Sequence, residues 1–234
     1  MILKGTLYLI PSPLGDYEPI EVIPDGVIQK MLPIRYFVVE ELRTARRYLS
    51  KCGFKGKIDI LTFFELNEHT DKSVVHDYLS PLIEGNDMGL ISEAGLPAVA
   101  DPGAYLVELA HKEGIKVVPL SGPSSLMMAL MASGMNGQSF AFVGYIPVKP
   151  EERRSEIKKL EKLSVTTGQS QIIIEAPYRN NSLFSDLLLV CSNDKNICIA
   201  AGITTSEEFI CTKSVSEWKK TKIDLNKKPC VFIL

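Results

Sequence analysis

"ISEAGLPAVADPGAYL", Ile91 to Leu106, leaves the apolar run Met88-Gly89-Leu90-Ile91 and crosses two glycines and two prolines. It carries acids at Glu93 and Asp101 and then enters a helical pattern. A strand handing over to a helix through a loop this poor in side chains is the repeating step of an α/β fold. Outward from it, β-rich runs alternate with helical ones. Strands are expected at Thr6–Ile10, Ile34–Val39, Ile58–Phe63, Met88–Ile91 and Lys116–Leu120, with helices at Pro24–Met31, Glu41–Lys51, Asp71–Glu84 and Gly103–Glu113. The alternation predicts a largely parallel sheet with helices on both faces.

After Pro119 the character changes. A helix is expected at Pro123–Ser133, a strand at Ser139–Val143, a highly charged helix at Pro150–Leu163, a strand at Gln171–Ile174 and a helix at Tyr178–Cys191. The end is β-rich, with runs at Asn196–Ala201, Glu208–Thr212 and Cys230–Leu234 and a short helix near Val215–Lys219. Such a tail suits a mixed sheet. The reading is two α/β domains, residues 1–118 with a largely parallel sheet and 119–234 with a mixed one.

With 45% hydrophobic and 23% charged residues, the composition is that of an ordinary globular protein. The net charge of −2 gives no global pull toward nucleic acid or anionic membrane, so any nucleic-acid contact needs a local basic patch. No apolar run approaches the roughly 18 residues of a membrane span and no signal peptide is visible, so a cytoplasmic location without membrane contact is expected. Cys52, Cys191, Cys198, Cys211 and Cys230 are odd in number, lack C-x-x-C pairing and read as buried free thiols. His69, His76 and His111 lack metal-ligand spacing and read as surface or structural, so no metal site is expected.

Four bare loops follow expected strands: Pro11–Asp16, the opening stretch Ile91–Leu106, Ser121–Ser125 and Glu175–Arg179. Ligand crevices of α/β sheets open at such strand ends. Glycine lets backbone approach a ligand and proline fixes the path. Each loop alone reads as ordinary turn punctuation; four at strand ends read as one shared cleft. None fits the P-loop or G-x-G-x-x-G spacing.

"GTLYLIPSPLGD", "SEAGLPAVADPG", "VVPLSGPSSLMMALMASG", "FVGYIPVKPEERR" and "EAPYR" together resemble the tetrapyrrole methylase superfamily. The resemblance runs in order over almost the whole chain. It is nearest to the branch that methylates a cytidine ribose 2′-hydroxyl in small-subunit ribosomal RNA. It implies two α/β domains with S-adenosylmethionine in the cleft between them, a homodimer, and ribosomal RNA or the small subunit as substrate. On this resemblance Pro11, Pro13, Gly15, Ser92, Ala94, Gly95, Pro97, Asp101, Ser121, Gly122, Pro123 and Ser124 line the cofactor, with Tyr178, Ala201 and Gly202 on its adenine side. The chain departs from the branch where R-E-L-T-K is replaced by Ala201-Gly202-Ile203-Thr204-Thr205, and around Tyr17–Pro33. Two alternatives therefore stand beside the RNA reading: a methyltransferase of a tetrapyrrole or other small molecule, and a cofactor-binding protein without turnover.

Methyl transfer from a sulfonium needs in-line positioning, and a hydroxyl acceptor also needs a base for its proton. Glu41 and Glu93 are the candidate catalytic residues, with Glu40 and Glu68 behind them. For Glu40 and Glu41 the plainer reading is an ion pair on a helix. Arg43, Arg46 and Arg179 are candidate substrate contacts, because guanidinium forks match phosphate oxygens. The mixed-sign run Lys149–Lys162 reads as a solvated helix face. Gly95→Val or Gly122→Val is expected to weaken cofactor binding and spare the fold.

Overall fold

The computed structural model describes Leu3 to Leu234, which divide into two compact units between Ser124 and Ser125. In the first unit β1 (Thr6–Ile10), β2 (Tyr36–Val39), β3 (Thr62–Glu65), β4 (Met88–Ile91) and β5 (Lys116–Pro119) form a sheet of order β3-β2-β4-β1-β5. Every pairing in it is parallel. Helices α1 (Pro19–Val22), α2 (Asp25–Met31) and α3 (Leu42–Leu49) pack Ile23, Val27, Met31 and Leu49 against Ile10, Phe37 and Val39. On the opposite face α4 (Lys72–Val75), α5 (Ser80–Ile83) and α6 (Gly103–Lys112) bury Val75, Leu82 and Leu106 against Leu7, Val38 and Leu90. The period of two in these strands thus sorts side chains between two cores. Gly89 of β4 has no room for more: a Cβ there would lie 2.5 Å from Ile10 Cδ1 and 2.8 Å from Phe37 Cδ1.

The second unit contains α7 (Ser125–Ser133), β6 (Phe140–Gly144), α8 (Pro150–Thr167), β7 (Ser170–Ile174), α9 (Asn180–Val190), β8 (Asn196–Ala201), β9 (Phe209–Ser214), α10 (Val215–Trp218) and β10 (Cys230–Ile233). Its sheet order is β6-β7-β10-β8-β9, parallel only between β6 and β7. Its core lies under α8, α9 and Trp218, whose Nε1 donates to Ile197 O at 2.9 Å.

The mixed α/β architecture expected from the sequence is present. Locally the chain departs from expectation at three places. The strand placed at Ile58–Phe63 begins at Thr62, and Ile58–Ile60 is a 3₁₀ turn with Ile60 mostly exposed. The helix expected over Asp71–Glu84 breaks into short pieces, because Pro81 cannot donate to the preceding turn. The charged helix is not wholly solvated. Arg153 is buried, its Nε 2.7 Å from Asp186 Oδ2, while Arg154 Nε takes Asp186 Oδ1 at 2.6 Å.

Candidate active site

After β1 the chain crosses one way to β2, and after β4 it crosses the other way to β5, although β1 and β4 are neighbours. Strand order therefore reverses between them, and a crevice opens at their carboxyl ends. The loops leaving these two strands are tied edge to edge. Ser12 N–H donates to Gly95 O at 2.8 Å, Gly95 N–H donates to Ser12 O at 3.0 Å, and the buried Ser12 Oγ donates to Ser92 O at 2.8 Å. Tyr48 on α3 donates its hydroxyl to Pro11 O at 2.7 Å. The third loop lies against the first, so that a Cβ on Gly122 would fall 2.2 Å from Pro11 Cβ. Gly95 has φ +74° and Leu14 Cδ2 3.1 Å from where its Cβ would be.

These contacts explain the bareness of the loops: three of them pack on one another at backbone distance. They also correct one expectation. A valine at Gly122 drives into Pro11, and one at Gly95 would hold a β-branched residue at φ +74° against Leu14, so neither spares the fold.

A cavity of about 130 Å³ opens beside the tied loops, with Ser12, Pro13, Gly15, Ser92 and Glu93 on one side and Thr44, Arg47, Tyr48 and Lys51 of the α3 segment on the other. Residues 44, 47, 48 and 51 share one helix face by their spacing. Arg43 and Arg46, chosen from the sequence, fall off that face. Arg43 is exposed, and Arg46 lies 5.5 Å over the Phe63 ring. The cavity's basic groups are instead Arg47 and Lys51, the latter 3.0 Å from Glu18. Helical spacing laid over "RTARRYLSK" could have found them.

The two catalytic candidates separate. Glu41 is the N-cap of α3: its Oε1 accepts from Arg43 N at 2.8 Å, and its Oε2 accepts from Thr44 N at 2.7 Å and from the Thr44 hydroxyl. That hydroxyl, followed by the two backbone N–H groups, holds its pKa below the ordinary 4.5. Both oxygens are engaged, which leaves Glu41 a poor proton acceptor. Glu93 is exposed on the cavity wall. Behind it, burial and then the charges of Asp101 and Glu93 push Glu40 upward, while the Glu93 N–H bonds its carboxylate.

Asp101 holds the loop itself. Its Oδ1 accepts from Ala98 N at 2.9 Å and Gly103 N at 2.7 Å, and burial raises its pKa. Between these anchors Ala98 and Ala100 sit at φ 64° and 58°, the left-handed region that alanine rarely enters. Asp101 is thus a positioning residue for Ser92–Asp101. Ser121, Pro123 and Ser124 follow β5 in the loop that rests on Pro11, and Ala94 and Pro97 flank Gly95.

In the second unit the candidate residues lie at the ends of β7 and β8. Glu175 is buried, its Oε1 accepting from Arg179 Nε at 2.9 Å, Arg179 Nη2 at 2.6 Å and Ala176 N at 2.7 Å. Arg179 also stacks 4.8 Å over the exposed Tyr178 ring. With its fork on Glu175, Arg179 is not free for phosphate. Ala201 and Gly202 are buried, and Gly202 N donates to Pro229 O at 2.9 Å.

This architecture is shared with solved methyltransferases. The methyltransferase CobJ superposes with a TM-score of 0.62 at 14% identity, covering 98% of this chain and 92% of that one. Uroporphyrin III C-methyl transferase from Thermus thermophilus gives 0.59 at 15% identity, over 98% and 96%. Residues 54–218 match the Tetrapyrrole (Corrin/Porphyrin) Methylases, and the chain belongs to that family of methyltransferases. Among its relatives, the "Ribosomal RNA small subunit methyltransferase I" of Halalkalibacterium halodurans is 32% identical over 88% of this chain and 68% of that protein. The protein of the same name from Vibrio cholerae is 29% identical over 87% and 67%, and that of Escherichia coli 27% identical over 99% and 78%. Membership implies a methyl donor of the S-adenosylmethionine type. The loops leaving β1 and β4 fit one in kind, offering backbone and small side chains at Ser12, Gly15 and Ser92, and the cavity of about 130 Å³ beside them is room for a part of it.

Proposed function

We propose that the chain is an S-adenosylmethionine-dependent methyltransferase acting on a ribose 2′-hydroxyl of small-subunit ribosomal RNA. The carrying observation is its 32% identity, over 88% of its length, with a protein named ribosomal RNA small subunit methyltransferase I. Bound, the donor supplies an electrophilic methyl group for direct displacement. The chain's own residues then have three tasks.

Pro11, Pro13, Gly15, Ser92, Ala94, Gly95, Pro97 and Ser121–Ser124 hold the donor through backbone, in loops kept in place by the Ser12–Gly95 pair. For Tyr178, Ala201 and Gly202 the assignment to the donor rests on the family resemblance alone. Glu93, on the cavity wall, takes the hydroxyl proton. Arg47, on the α3 side of the same cavity, meets an acceptor phosphate. The same reading makes the protein a cytoplasmic homodimer.

The test pairs two measurements. Calorimetric titration with S-adenosylmethionine is expected to give saturable binding near one per chain, and purified protein is expected to methylate isolated small ribosomal subunits. Glu93→Gln should hold donor affinity and cut methyl transfer by roughly 100-fold or more. Donor binding with no methyl incorporation into any ribosomal RNA would sink the RNA reading.

A further inference from the structure

The net charge is −2, yet from Lys213 to Lys228 six lysines face only Glu217 and Asp224. The fold gathers this run. In the second unit β9 and the chain between α10 and β10 enclose a cavity of about 410 Å³, with Phe209, Lys213, Thr221, Lys222, Ile223 and Lys228 on its walls. Phe209 is 36% exposed, and its ring meets Trp218 edge-on at 6.4 Å. Lys213 is fixed by neutral partners, its Nζ 5.1 Å over the Trp218 ring and donating to Thr221 Oγ1 at 3.0 Å, and its charge acts on Glu217, whose carboxylate is itself bonded to Ser214. Lys222 is exposed and has no ion pair among the described residues. Lys228 meets Glu207 at 3.3 Å, but the Glu207 side chain is 72% exposed, and such a bridge contributes little. The acid on the wall, Asp224, is occupied by Asn181 Nδ2 at 2.7 Å and Asn226 N at 2.9 Å.

An aromatic surface ringed by ammonium groups suits an unpaired nucleotide strand, whose bases stack while its phosphates meet charge. The exposed Lys219 and Lys220 extend the positive run beyond the cavity wall, which favours a polymer over a single small phosphate. Resting on the RNA reading above, we infer that this cavity holds a single-stranded segment of the acceptor RNA, with a base against Phe209 and phosphates on Lys213, Lys222 and Lys228. It is the local basic patch that a chain of this net charge requires.

The test uses the full chain with Lys222→Gln and Lys228→Gln combined, and separately Phe209→Ala. Binding of a mixed-sequence single-stranded oligoribonucleotide is followed across salt concentration, beside donor calorimetry and thermal melting. The lysine pair is expected to weaken RNA binding about tenfold and to flatten the salt slope by roughly 0.7 per lost phosphate contact. Phe209→Ala should weaken binding with the slope unchanged, and both variants should keep donor affinity and melting temperature. Unchanged RNA affinity in folded variants overturns the assignment. So does lost donor affinity, which makes the cavity a donor subsite, or equal competition by inorganic pyrophosphate, which makes it a small-anion site. Failure of the wild type to methylate small subunits would instead strike the catalytic reading, because the binding arm needs no turnover.

Discussion

The two units finish their strands in opposite ways. In the first, all pairings are parallel and the order reverses between β1 and β4, so the carboxyl ends part and leave a cavity. In the second, antiparallel β10 fills the space between β7 and β8, and the chain entering it stitches both ends shut. Lys227 N donates to Pro177 O at 3.0 Å and Gly202 N to Pro229 O at 2.9 Å. Loops of similar glycine–proline chemistry thus do different jobs. A bare loop opens a site only where topology sends its neighbour the other way.

The largest expected effect tests whether the units stand separately. Asp186→Ala leaves the buried Arg153 without its carboxylate and should cost about 3–5 kcal/mol. Hydrogen exchange should show α8 and α9 losing protection while β1 to β5 keep theirs; equal loss in both would break the contrast. Next, Gly122→Ala pushes a methyl group into Pro11 and should cost about 1–3 kcal/mol, read by denaturant unfolding together with a weaker donor affinity. An unchanged midpoint would show that the loops of the first unit are looser than their distances imply.

Asp101→Ala removes the acceptor for Ala98 N and Gly103 N, at about 1 kcal/mol. Asp101→Asn keeps an acceptor oxygen and should restore most of the stability, which sharpens the claim that Asp101 positions the loop. The smallest effect is on pH dependence. Glu41 sits below its ordinary 4.5, so its contribution is present above that value and is lost as pH falls through the lowered one. Glu41→Gln should flatten that acid limb in melting curves taken between pH 6 and pH 3, the variant melting below the wild type at pH 6 and converging on it toward pH 3.

The alternation of runs in the sequence was enough for the α/β class, and the four bare loops lay where strands end. What escaped was backbone capping, helical phase and the contacts between segments distant in sequence. Glu41 looked like a base because its cap partners Arg43 N and Thr44 N are backbone, invisible to a reading of side chains. Arg43 and Arg46 were chosen by type, whereas helical phase puts Arg47 on the cavity. Gly122 looked important for the cofactor alone and not for the fold, because nothing in the sequence says that Pro11 lies against it.

That last contact bears on synthesis. Chains emerge amino end first, so the Pro11–Asp16 loop is made long before the segments it rests on. Ser12 must wait for Gly95, and Pro11 for Gly122, before the crevice has both walls. A ribosome-bound nascent chain ending ahead of Gly122 has strands but not yet the packed loops proposed to hold the donor. Competence for the proposed donor should not arrive before the stretch of translation that brings Ser121–Ser125 out of the exit tunnel, and on the family reading it is complete only once Ala201 and Gly202 follow.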